Sequence, residues 1–167
     1  MQLFPSPKAS NKDALIGAVG AAISMAVTWL VCDALLDSVS PILALSMGAS
    51  AVILFTMPHA PAAQPVPLIL AHCVAAFLGV LSAQLFDNTA LAVGIAVGVH
   101  AGLMVRFGYM HPPSGGTALT AVIGGEAVTE LGYSLIWRPV LLNAVLLVLL
   151  AIAINAPFAW RRYPAKS

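Results

Sequence analysis

Apolar residues run through this chain in long stretches with short polar breaks: Ala14–Leu36, Pro41–Met57, Leu68–Phe86, Thr89–Phe107, the short Thr117–Gly125, and Ile136–Trp160. About 20 helical residues cross a hydrocarbon core of about 30 Å, so four of these stretches are long enough to span a bilayer. Pro41–Met57 is marginal, and Thr117–Gly125 is too short alone. The order long, short, long occurs twice. The pattern predicts an all-α fold, a polytopic membrane helical bundle made of two inverted pseudo-repeats, each a long helix, a short broken helix and a long helix. Residues 14–87 form the first repeat and 88–160 the second, within a single transmembrane domain flanked by cytoplasmic segments 1–13 and 161–167.

Local sequence echoes the repeat. Ser46-Met47-Gly48-Ala49-Ser50-Ala51-Val52-Ile53 in the first half parallels Ser114-Gly115-Gly116-Thr117-Ala118 in the second, and Gln64-Pro65-Val66 parallels Arg138-Pro139-Val140. Two topologies are open. If both short pieces cross, six crossings place Asp33, Asp37, Asp87, Glu126 and Glu130 outside and Arg106 inside, with Arg138 the one exception to the positive-inside tendency. If both are re-entrant, four spans remain and Arg106 and Arg138 fall outside. The charge distribution favours six.

Composition agrees with a membrane location: 60% of the 167 residues are hydrophobic, 8% are charged, and mean hydropathy is +0.97. A soluble domain carries about 25% charged residues. The net charge of +1 says little, but Lys8 and Lys12 precede the first stretch while Arg161, Arg162 and Lys166 follow the last, so both termini are expected in the cytoplasm of a cell with an inner membrane. The first stretch is too long for a signal-peptide core and is read as a retained helix. Cys32 and Cys73 lie in apolar surroundings without paired spacing, which suits packing. No nucleic-acid footprint, P-loop or nucleophile elbow is present, and no enzymatic machinery is visible.

Candidate chemistry concentrates in Met110-His111-Pro112-Pro113-Ser114-Gly115-Gly116-Thr117-Ala118-Leu119. Two prolines end one helix and two glycines permit unusual backbone. The next helix, expected from Thr117, would aim unpaired amides at whatever precedes it. Irregular backbone at membrane depth survives only inside protein or along a cavity. The site is therefore expected to gather Ser46, Gly48 and Ser50 from the first half with His111, Pro112, Pro113, Ser114, Gly115, Gly116 and Thr117 from the second, holding a small polar solute at two helix N-termini. A plain helix stop, with Ser114 as cap, is the alternative. Arg106, five residues before the break, would attract an anion or snorkel to headgroups. His111 would move a proton or brace the prolines.

Other polar residues carry weaker signals. His72 and His100 lie inside spans, where a polar ring faces either a neighbour or a pathway. His59 follows the first short helix and is read as solvated or as a gate. Asp33 and Asp37 end the first span, Asp33 as a solvated carboxylate or an ion-coupling one. No metal or cofactor site is expected, since no two histidines stand four apart. Trp29, Trp137 and Trp160 fit interfacial anchors. Gly94, Gly98 and Gly102 form a small-residue face for close helix packing, between halves or in a homo-oligomer, with Gly17–Ala21 and Gly79–Ala83 as possible mates.

The His111-Pro112-Pro113 tripeptide, its continuation Ser114 to Leu119, and Met47-Gly48-Ala49-Ser50-Ala51 with Pro58-His59-Ala60-Pro61-Ala62-Ala63-Gln64-Pro65 resemble the HPP family of integral membrane proteins. The resemblance runs from Ala14 to Pro157. It implies a small helical transporter-like protein, with plastid and cyanobacterial members associated with nitrite, and a family commonly described with four membrane helices.

The function expected is a transporter or channel for a small monovalent anion, nitrite first, working in the lipid bilayer without a cofactor. A membrane scaffold or assembly subunit is the alternative from another class. Transport of a cation or neutral solute is the third.

Overall fold

The computed structural model describes residues 9–36 and 40–165. Asp37 therefore lies outside the described residues. Among the described residues seven α-helices follow one another: α1 (Asn11–Leu36), α2 (Ser40–Thr56), α3 (Pro65–Leu85), α4 (Thr89–Phe107), α5 (Ser114–Ile123), α6 (Glu126–Thr129) and α7 (Leu142–Asn155). Among the described residues there is no strand. Four helical segments of the described residues are long and apolar enough to cross a membrane: Asn11–Leu35, Pro65–Leu85, Thr89–Phe107 and Gly132–Asn155. Ser46–Thr56 and Ser114–Ile123 are apolar but shorter.

Local chemistry explains the boundaries. Asn88 caps α4 by accepting from the Leu91 amide at 3.0 Å, and Gly108, at φ +74°, ends it in the left-handed region that suits glycine. Pro65 stands at the first turn of α3, where the missing amide costs nothing. Arg138, forced toward extended backbone by the following proline, interrupts the last span with φ −129° and ψ 109°.

The helices interlock. Helix α1 packs on α2 and α7, α4 packs on α5 and α3, α3 covers α5, and α7 touches α2. The short helices α2 and α5 meet each other, as do α3 and α7. Each pairing has its counterpart when α1, α2 and α3 are exchanged for α4, α5 and α7. Small residues permit the close crossings: a Cβ on Gly79 of α3 would stand 2.5 Å from Cβ of Ala121 and 2.7 Å from the Ala118 carbonyl of α5, and one on Gly17 would stand 3.0 Å from the Phe55 carbonyl of α2. Gly17 and Gly79 thus serve contacts within the bundle. Gly94, Gly98 and Gly102 have nothing within 4 Å of an added Cβ, so this stripe on α4 does not join the two halves; the buried face of α4 is Ala92, Ala96, His100 and Met104.

One expectation about the helices needs correction. Helix α5 begins at Ser114, three residues before Thr117. Its first amides are already used, because Ser114 N–H donates to the His111 carbonyl at 3.1 Å, Gly115 to Pro112 at 3.0 Å and Gly116 to Pro113 at 3.0 Å. The segment after the last span is tied back to the bundle. Arg161 is 4% exposed and reaches back to three partners: Asp13 at 3.1 Å, Asn155 at 3.1 Å and the carbonyl of Phe55.

Candidate functional site

Where α2 and α5 cross, the apolar interior gives way to a buried polar cluster drawn from four helices and one connector. Ser50 of α2, His72 of α3, His100 of α4, and His111, Ser114 and Thr117 at the break and in α5 all have no solvent exposure. Polar groups in an apolar interior are tolerated when paired, since each unpaired one costs about 1–3 kcal/mol. Here most are paired side chain to side chain.

Ser50 stands at the centre. Its Oγ is 2.8 Å from Nε2 of His72 and 2.8 Å from Nε2 of His111. The other ring nitrogen of His72 pairs with the Thr117 hydroxyl at 2.6 Å, and Nδ1 of His111 donates to the carbonyl of Ala62 at 2.6 Å. The two rings are tilted, with centroids 5.0 Å apart. A second strand of the cluster joins α4 to α5: Nε2 of His100 lies 2.6 Å from Ser114 Oγ, and Ser114 O–H donates to the His111 carbonyl at 2.7 Å. Nδ1 of His100 is buried without a partner.

The carbonyl that holds His111 belongs to a connector that is itself tied down. Gln64 donates through Nε2 to the carbonyls of Pro58 and Ala60, each at 3.0 Å, and accepts from the Ala165 amide at 2.9 Å. Tyr163 O–H donates to the neighbouring Ala63 carbonyl at 2.7 Å. Burial pushes the Tyr163 phenol above its usual range. Beside this connector a cavity of about 340 Å³ is lined by residues including His59, Asp13, Trp160 and Arg161.

The structure brings together Ser46, Ser50, His111, Ser114, Gly116 and Thr117. Gly116 approaches α2 closely, an added Cβ lying 3.4 Å from that of Ser46, and Ser46 is itself buried. Gly48, Gly115 and Pro113 are half-buried and Pro112 is exposed; an added Cβ on Gly48 or Gly115 meets nothing within 4 Å. Arg106 is exposed, its guanidinium 5.6 Å from the Phe107 ring centroid. Helix α2 contributes through Ser46 and Ser50, beyond its first turn, so the cluster does not join two helix N-termini. His111 spans to α2 and Ala62 and does not brace its own prolines.

His72 and His100 are the members that sequence reasoning kept outside the site. Their signal was a histidine within an otherwise apolar span. Arg161, Asn155 and Gln64 left weaker traces, since long-range partners are invisible in a single sequence. Cys32 is buried as a packing residue, with its thiol also donating to Asn143 Oδ1 at 2.8 Å; Asp33 is exposed. Among the described residues no group of three or more His, Cys, Asp or Glu side chains is disposed to hold a metal ion.

Comparison with known proteins agrees with this architecture. The family described as HPP, transmembrane region, matches residues 6–164, and the chain belongs to the HPP transmembrane family. Two transmembrane proteins of Dictyostelium discoideum are similar. One is 35% identical over 133 residues, which cover 77% of this chain and 46% of the relative; the other is 36% identical over 128 residues, covering 71% and 39%. The chain thus spans less than half the length of these curated relatives. No solved structure matches it. With its four long apolar helices and this family, the chain is a membrane protein.

Proposed function

We propose that this protein moves a small monovalent anion, nitrite first, across the membrane through the junction of α2 and α5. The observation that carries the reading is the polar cluster itself: three histidines and three hydroxyls, all without solvent exposure, set where two undersized helices meet inside an apolar bundle. Interrupted or short helices meeting at membrane depth are where transporters place their substrates. The donors offered to an anion are hydroxyls and ring N–H groups of Ser46, Ser50, His100, Ser114 and Thr117. First-turn amides of α5 are occupied, so they play no part until the turn opens. With the cluster paired, the arrangement is a closed state, and transport requires α2 and α5 to separate at Gly116 and Ser46. Weak neutral donors favour passage over retention.

The exchangeable pairing of the helices supports two repeats, 14–87 and 88–160, in one transmembrane domain. We place them inverted, with both termini cytoplasmic in an inner membrane, and assign no cofactor. Arg106 serves attraction of the anion at the surface. The Gly94, Gly98 and Gly102 face is free for a second copy of the chain.

Purified protein in liposomes tests the reading. Nitrite uptake above that of empty vesicles is expected, with His111→Ala and Ser114→Ala together abolishing it; uptake unchanged by both substitutions overturns the assignment. Transport of a cation or neutral solute has one observation in its favour, the unpartnered Nδ1 of His100. Inhibition of nitrite uptake by ammonium but not by other anions would select it.

A further inference from the structure

The four contacts that run from Thr117 to Ala62 have only one consistent direction when both rings are neutral. A carbonyl only accepts, so His111 carries its proton on Nδ1 and presents a lone pair at Nε2. Ser50 must then donate to that lone pair. Having one proton, Ser50 accepts from His72, which therefore carries its proton on Nε2. His72 Nδ1 is left as an acceptor for the Thr117 hydroxyl. Every bond points from α5 toward the connector.

The same atoms admit a second complete pattern with one proton more. If His111 holds protons on both nitrogens, its Nε2–H donates to Ser50, Ser50 turns its proton to His72 Nε2, and His72 donates from Nδ1 to Thr117. No hydrogen bond is lost. The Ala62 contact survives in both patterns, and only the Ser50 hydroxyl and the His72 tautomer reverse.

We propose that Thr117, His72, Ser50 and His111 form a proton relay between α5 and the Pro58–Gln64 connector. A proton delivered from the Thr117 side moves onto His72 Nδ1, the Nε2 proton of His72 passes to Ser50, and the Ser50 proton passes to His111 Nε2. One proton enters and one excess proton rests on the His111 imidazolium, between Ser50 and the Ala62 carbonyl; the cycle closes when the contact with half-buried Ala62 opens to admit a water that takes the Nδ1 proton, and the His111 and His72 rings turn over to restore the first pattern. The titratable groups around the relay are His100 from α4 and Tyr109 in the break, whose ring lies 6.5 Å from that of His100. The hydrogen bonds and ion pairs of the described residues place no carboxylate, lysine or arginine on it. A neutral cluster that gains one charge at His111 also gains what an anion needs. The relay rests on the transport reading for its use, whereas its chemistry is testable without any anion.

Two measurements on the full chain test it. Histidine-selective 15N NMR in bilayers at neutral pH is expected to find His111 protonated on Nδ1 and His72 on Nε2, with acidification making His111 doubly protonated and moving the His72 proton to Nδ1 in the same step. In nitrite-free liposomes bearing a pH gradient and a potassium ionophore, the wild type is expected to dissipate the gradient, Ser50→Ala to fall to the leak of protein-free vesicles, and Ser50→Thr to retain the flux. His111 found with its proton on Nε2, His72 unchanged on acidification, wild-type flux no faster than the leak, or Ser50→Ala as fast as wild type would each overturn the relay. Nitrite uptake failing while these results hold would remove the anion and leave the relay standing.

Discussion

The guanidinium of Arg161 lies 3.1 Å from the carboxylate of Asp13, joining the start of α1 to the segment after α7 across 148 positions of sequence. Trp160 adds an indole N–H to the same carboxylate at 2.9 Å, and Ser10 donates to its other oxygen at 2.7 Å. An arginine fork satisfies Asp13, Asn155 and the Phe55 carbonyl together, which a lysine cannot do. Arg161→Lys and Arg161→Ala are both expected to lower the thermal midpoint in detergent, the alanine more. Equal midpoints for wild type and Arg161→Ala would show that the clasp contributes nothing.

The crossing of α3 and α5 is as close as it is because residue 79 lacks a side chain. An alanine there would bring its Cβ to 2.5 Å from Cβ of Ala121, and overpacking of this kind costs about 1–3 kcal/mol. Gly79→Ala should lower stability in a chemical or thermal melt. Because His72 and Thr117 lie on these same two helices, it should also slow transport.

Gly98 offers the opposite case. Nothing stands within 4 Å of an added Cβ, and replacing a helical glycine removes a helix-propensity penalty of about 1 kcal/mol. Gly98→Leu is expected to fold with undiminished thermal stability. A change in oligomeric state on a sizing column, with the monomer still folded, would mark this stripe as the surface between two copies; loss of folding would contradict the open face.

Much of the bundle was legible because apolar run length is set by bilayer thickness, and Thr89–Phe107 matched at both ends since Asn88 and Gly108 are local signals. The start of α5 was not, because Pro112 and Pro113 obstruct a helix only when they fall inside it and are welcome at its opening. Of the site, the HPP break and both serine segments could be marked from the sequence. His72 and His100 could not be assigned to it, since their partners Ser50 and Thr117, and Ser114, are fixed by helix packing. The anchorage of Arg161 was hidden for a related reason: its acceptors on Asp13, Asn155 and the Phe55 carbonyl are brought to it only by packing.

Alkaline pH provides a check on the connector. Tyr163 is buried with its hydroxyl on the Ala63 carbonyl, and burial raises its ionisation in the folded protein. Its contribution is therefore whole below the unfolded value of about 10 and is lost as pH rises past it toward the folded value. Stability should decline above about pH 10 less steeply in Tyr163→Phe, which in turn loses about 1 kcal/mol at neutral pH with its hydrogen bond. Identical alkaline profiles would contradict the buried phenol.

A density map of the protein in nitrite, under conditions where vesicles take it up, tests the transport reading most directly. The account predicts a three-atom anion between Ser46 and the His100–Ser114 pair, with α2 and α5 moved apart at Gly116. Density for nitrite elsewhere in the bundle, with Ser50, His72 and His111 still locked together, would contradict it.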